Sequence, residues 1–208
     1  MKKIPYLIAL SLLIFILSGC SVREAVSMER QEYLVSALGI DVRGSQFILS
    51  VESLVVNSED TQEDKKRIVL CGEGADLNTA IKNAKKTATM DLNFSHCGVI
   101  AISDRLSAEQ ISQALEFCYQ KSQINLSALF VLTRNSRQLL EGEPVSSVSV
   151  GYDIMSMLQG RKEQNYRNKF YQILDGDAKI PYLETDQSGR YIDSTREVNE
   201  FENYADFL

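Results

Sequence analysis

Val99-Ile100-Ala101-Ile102 is the stretch on which the fold turns. Four apolar residues without polar alternation describe a strand covered on both faces, as central strands of parallel sheets are. Upstream, Asp76 is placed to cap a helix whose apolar residues Leu77, Ala80, Ile81, Ala84 and Ala88 form one stripe. Downstream, Ser107 and Gln110 make a capping box, and Ile111, Ala114, Leu115 and Cys118 form a second stripe. Ala128–Leu132 (ALFVL) then repeats the fully apolar strand pattern. A strand, helix, strand series of this kind implies right-handed crossovers and at least partly parallel pairing.

Working outward, Tyr33–Asp41 and Phe47–Val56 read as two strands joined by a turn at Val42-Arg43-Gly44-Ser45, hence a hairpin. Asn57–Lys66 has no apolar periodicity and reads as an exposed loop, followed by a third strand at Arg67–Cys71. Gly72-Glu73-Gly74 then reads as a strand-to-helix turn; a dinucleotide fingerprint would need a third glycine where Leu77 stands. Toward the C-terminus, Ser136 caps a short helix to Glu141, and Val148–Leu158 forms another with Val148, Met155 and Leu158 facing a core. Beyond Gly160 the stripes give way to apolar islands at Ile180–Leu183 and Tyr204–Leu208. The expected architecture is α/β (or α+β): a mixed sheet with a leading antiparallel hairpin, parallel βα units and flanking helices. The expected body is 33–160, and 161–208 is a linker or the truncated start of a second domain.

The N-terminus carries a separate message. Met1-Lys2-Lys3 precedes the apolar run Ile4–Leu17, which as a helix covers roughly 21 Å at about 1.5 Å per residue. A hydrocarbon core is about 30 Å thick, so the run suits a signal peptide better than a span. Leu17-Ser18-Gly19-Cys20 resembles a bacterial lipobox, with Cys20 as the acceptor of diacylglycerol. Residues 1–19 are then the leader and 20–32 a membrane-proximal tether. Formal net charge is −6 and falls further when Lys2 and Lys3 are removed. Such a surface argues against nucleic acid and against electrostatic docking on anionic lipid, leaving covalent lipid as the membrane link. Cys71, Cys97 and Cys118 lie in apolar segments and read as small buried hydrophobes, with a Cys71–Cys97 bridge as the alternative.

No catalytic or metal-binding motif is present. His96 is the single histidine; its neighbours Ser95 and Cys97 would point to opposite faces of a strand, so it reads as a structural, hydrogen-bonded residue. Glu63, Asp64, Asp91, Glu141 and Glu143 fall in loops or element ends and read as solvated charges. No cofactor is expected.

The segments taken in order resemble the N-terminal region of the Ger(x)C spore-germination lipoproteins, the C subunit of GerA-type nutrient receptors. The likeness rests on the lipobox ending at Cys20, Arg23-Glu24, Leu38-Gly39-Ile40-Asp41 with its hairpin, and Gly74 before the Leu77 helix. It continues through Phe94–Ile102, Leu106–Phe117, Ala128–Leu132 and Leu139-Leu140-Glu141. Ser21-Val22 stands where the family usually has Trp-Asp, and Lys121-Ser122 where it has Arg-Asp. The resemblance implies a non-enzymatic receptor subunit on the outer face of the cytoplasmic membrane, which in the spore is the inner membrane. Its partners would be the membrane-embedded A and B subunits and the bilayer itself. His96, Gly39 and Asp41 match the family pattern, and Cys20 is the one residue to which the resemblance gives a functional role. A solute-binding lipoprotein of a transport system is the rival reading.

Overall fold

The computed structural model describes residues 32–55, 66–121, 123–161, 165–176, 178–185 and 191–194. Strands β1 (Glu32–Arg43) and β2 (Gln46–Val55) form the leading hairpin. Gly44, at φ +62°, takes the left-handed position that a glycine-first two-residue turn requires. A bulge between Val35 and Ala37 sets both Ser36 and Ala37 opposite Glu52 and frees the Ser36 carbonyl to accept from Gly98 N–H at 3.0 Å. β3 (Lys66–Gly74) adds antiparallel to β2, and helix α1 (Leu77–Lys85) folds back over it.

Gly72 and Gly74 lie inside β3 rather than in a turn. A Cβ at Gly72 would stand 2.2 Å from the Ala80 carbonyl oxygen, and one at Gly74 would stand 2.6 Å from Ala80 N. These glycines let α1 lie directly on the strand. The helix ends at Lys85, short of the stripe's last member Ala88, because the following N–H groups tighten into three-residue turns and the Thr87 hydroxyl takes the Ala84 carbonyl.

β4 (Asp91–Asn93) pairs with the start of β1, a 3-10 turn spans Phe94–His96, and β5 (Val99–Ser103) lies parallel to β1. Helix α2 (Ala108–Gln120), held by the Ser107–Gln110 capping box, returns the chain to β6 (Leu129–Thr133), parallel to β5. Helices α3 (Ser136–Glu141), α4 (Val150–Gly160) and α5 (Phe170–Leu174) lead to β7 (Tyr182–Thr185), parallel to β6, and β8 (Tyr191–Ser194) closes antiparallel. The strand order is β3-β2-β1-β5-β6-β7-β8, with β4 beside β1.

The chain is therefore α/β, with a mixed sheet between two helical layers. Ile100 and Ile102 of β5 pack with α1, α2 and α5 on one face, while Val99 and Ala101 pack with α3 and α4 on the other. That two-sided cover is why Val99–Ile102 carries no polar residue. Three local expectations change. Asn135, not Ser136, caps α3 by accepting from Gln138 N–H at 3.0 Å. Ser149 caps α4, and Val148 before it is exposed while Val150 fills the core. The sheet also continues past residue 160: Phe170, Ile173, Ile180, Tyr182 and Leu183 are buried in the same two cores. Helix α5 and strands β7 and β8 thus belong to the body rather than leave it, because β6 needs a neighbour for its free edge.

Candidate functional site

Successive parallel strands create a cleft where their following helices leave on opposite faces. Here α2 follows β5 over one face and α3 follows β6 over the other. The divergence opens a crevice of about 350 Å³ at the C-terminal ends of the strands, lined by Arg105, Thr133, Arg134, Gln138, Glu184 and Thr185 among others. Arg105 is already committed. Its Nη2 donates to both oxygens of buried Asp41 at 2.7 and 2.8 Å, and its Nε donates to Ser103 Oγ at 3.3 Å. Asp41 also accepts from Val42 N–H, and Tyr182 OH donates to Asp104 at 2.8 Å. Exposed Arg134 and Glu184 put opposite charges on the rim, and neither makes an ion pair among the described residues. The crevice can thus take a small polar ligand bearing both signs of charge. Among the described residues that line it, no nucleophile stands beside a base.

A second heavily bonded carboxylate lies in β2. Glu52 is fully buried in β2 and accepts from Arg67 Nε at 2.5 Å, Ser36 Oγ at 2.7 Å, and Val150 and Gly151 N–H at 2.7 and 2.8 Å. Arg67 also donates to the Leu140 carbonyl. The carboxylate thereby serves the two free N–H groups at the start of α4, where a helix favours negative charge. Gly151 permits the approach, since a Cβ there would stand 2.9 Å from the Ser36 carbonyl oxygen. Asp153, one turn on, accepts from Val145 N–H and from both N–H and Oγ of Ser146. Burial raises its pKa, but those hydrogen bonds outweigh it and hold the carboxyl below the ordinary 3.8.

Cys20, the leader, most of the tether and the carboxylates Glu63 and Asp64 lie outside the described residues. His96 sits on the 3-10 turn, exposed, and no hydrogen bond to its imidazole occurs among the described residues, so it is not the bonded histidine expected. The strand geometry anticipated there is absent because Phe94–His96 turns before β5 begins. All three body cysteines are free. Cys97 and Cys118 are buried, and burial raises both thiols, Cys97 to about 12. Cys71 is half-buried, its sulfur 3.5 Å from Ser50 Oγ. Asp91 and Glu143 are exposed, and Glu141 pairs with Arg137 on the surface at 2.7 Å. Gly39 admits α3, with Leu140 Cδ1 3.1 Å from where its Cβ would lie. Among the described residues no cluster of three or more metal-ligating side chains forms, and no helix is long and apolar enough to cross a membrane.

Sequence reasoning missed Glu52, Arg67, Arg105 and Arg134. Glu52 had a signal, as a lone carboxylate amid the apolar run Phe47–Val56. Arginines closely following two apolar strands, Arg105 after Val99–Ser103 and Arg134 after Leu129–Thr133, mark a strand-end crevice once the strands are known to be parallel.

No curated protein and no solved structure matches the chain. One family model does, described as the spore germination protein N-terminal domain, over residues 30–184. That span runs from the tether into β7 and takes in the hairpin, β5 and β6, helices α1–α5, and the crevice lining apart from Thr185. Since it covers well over half of the sequence, the chain belongs to the spore germination protein N-terminal domain family.

Proposed function

We propose that this protein is the lipid-anchored C subunit of a GerA-type nutrient-germinant receptor, a non-enzymatic component of spore germination. Cys20 carries the acyl chains, residues 1–19 are removed, and residues 20–32 lead from the bilayer to the body. The protein works on the outer face of the cytoplasmic membrane, the inner membrane of the spore, beside the membrane-embedded A and B subunits. The observation that carries this reading is a spore germination domain matched from residue 30, a short polar stretch after Leu17-Ser18-Gly19-Cys20. Two acyl chains hold a protein on a membrane stably where one does not, and confinement there raises its effective concentration toward its partners. The buried polar groups support a binding role, since Glu52 and Asp41 are spent on joining elements.

The test is labelling with palmitate followed by detergent extraction of spore inner membranes. The wild-type chain should carry label and bring the A and B subunits with it, and Cys20→Ala should carry none. A wild-type chain that is unlabelled, or that recovers neither subunit, refutes the proposal. The 350 Å³ crevice favours a second reading, a solute-binding lipoprotein of a transport system. Ligand-dependent thermal stabilisation without membrane partners would select it.

A further inference from the structure

Because β1, β5, β6 and β7 run parallel, the sheet has two unlike ends. The crevice occupies the C-terminal end. The N-terminal end gathers Tyr119 from the last turn of α2, Leu126 from the connection into β6, and Tyr171 from α5, whose N–H donates to the Leu126 carbonyl at 3.0 Å. These three are 61%, 46% and 42% exposed, and among the described residues only Val145 and Val148 are comparably exposed large hydrophobics. Lys169 Nζ lies 5.9 Å from the Tyr171 ring centroid, and Lys121 Nζ lies 5.1 Å from that of Phe117. Tyrosine, an aliphatic side chain and lysines with apolar stems are the composition of a water–lipid boundary. The chain enters the body at this same end, at Glu32, from the segment carrying Cys20. The residues between Cys20 and Glu32 can reach at most roughly 40 Å, so an acylated Cys20 holds this end of the body near the bilayer.

Resting on the acylation of Cys20, we infer that the N-terminal end of the sheet is a bilayer-docking surface, with Tyr119, Leu126 and Tyr171 seated in the headgroup region. The contact is apolar rather than electrostatic. Glu32, Asp91 and Asp175 share the end with the lysines. Docking turns the crevice away from the lipid, roughly 15–20 Å farther out across five-residue strands.

The chain has no tryptophan, so a single one reports its surroundings cleanly. Acylated full-length Leu126→Trp and Gln138→Trp are each bound to phosphatidylcholine vesicles containing lipid brominated near the headgroup. The Leu126→Trp emission should shift blue and lose most of its intensity, while Gln138→Trp at the crevice keeps its own. In the Asn125→Trp reporter, quenching should vanish when Tyr119, Leu126 and Tyr171 are all replaced by Ser, although the vesicles still retain the protein. Vesicle-bound protein with neither reporter quenched, or both equally, overturns docking and leaves the anchor intact. Lipid quenching absent while spore membranes shield Leu126→Trp from aqueous acrylamide overturns it too, assigning the end to a protein neighbour. A chain without acyl mass that fails to float with vesicles overturns the anchor and the docking together.

Discussion

Glu52→Ala tests whether a single buried carboxylate joins the hairpin to α4. Four donors converge on that side chain: Arg67 Nε, Ser36 Oγ and the N–H groups of Val150 and Gly151. Removing it leaves the Arg67 guanidinium, whose side chain is only 17% exposed, with the Leu140 carbonyl but no counter-charge, and one-sided loss of a buried pair costs about 3–5 kcal/mol. Each helix N–H left sealed without an acceptor adds about 1–3 kcal/mol. Water entering the vacated space relieves part of this, and the terms overlap, so we expect a net loss of about 4–6 kcal/mol. A domain of this size holds about 5–15 kcal/mol in total, and the loss should lower Tm by roughly 10–20 °C. Urea unfolding of the detergent-solubilised full chain, followed by far-ultraviolet circular dichroism, measures it as a lower midpoint at unchanged slope. The ordering of variants is the sharper readout. Arg67→Met leaves Glu52 with Ser36 and both helix N–H groups, so it should cost less than Glu52→Ala. A loss below about 1 kcal/mol for Glu52→Ala, the scale of an exposed surface pair, would refute the reasoning.

Gly72→Ala places a methyl 2.2 Å from the Ala80 carbonyl oxygen and 2.3 Å from Ala84 N, backbone atoms that cannot rotate aside. Thermal unfolding should show a loss of about 3 kcal/mol or more, the upper end of overpacking, whereas Gly44→Ala meets no atom within 4 Å and should lose only about 1–2 kcal/mol to its positive φ. Asp153 has its pKa depressed in the folded state, so its contribution is present above the ordinary value of 3.8 and is lost as pH falls through the lower folded value. Stability of wild type should therefore drop in that acid window more steeply than stability of Asp153→Asn, as urea midpoints across the pH series will show. Native maleimide labelling of the acylated chain should modify Cys71 but neither Cys97 nor Cys118, which burial keeps as thiols, until denaturant is added; mass spectrometry reads the sites.

Much of the architecture was legible in the sequence. Val99–Ile102 and Ala128–Leu132 announced central strands, and the Leu77 and Ile111 stripes announced the helices between them, because each pattern records which neighbours a residue must avoid or bury. The capping box at Ser107 was equally local, its two hydrogen bonds closing within three residues. The reading failed where a residue's role is set by a distant segment. Gly72 and Gly74 read as a turn, since nothing nearby reveals that α1 will lie on them. The island at Ile180–Leu183 read as leaving the body, since only β6 shows where that strand pairs. Of the crevice, the sequence offered Asp41 and the strand ends but not their meeting with Arg105, 64 residues away.

The sequence by itself determined the kinds of element, their order, their apolar faces and the lipobox-like stretch before the body, because these follow from stereochemistry within a few residues. Tertiary structure alone decided that Glu52 takes the first N–H groups of a helix 98 residues later, and that a chain of net charge −6 collects tyrosines and lysines at one end of its sheet. Composition averages over the surface. Parallel strand order sorts it, by sending the start of every parallel strand to one edge.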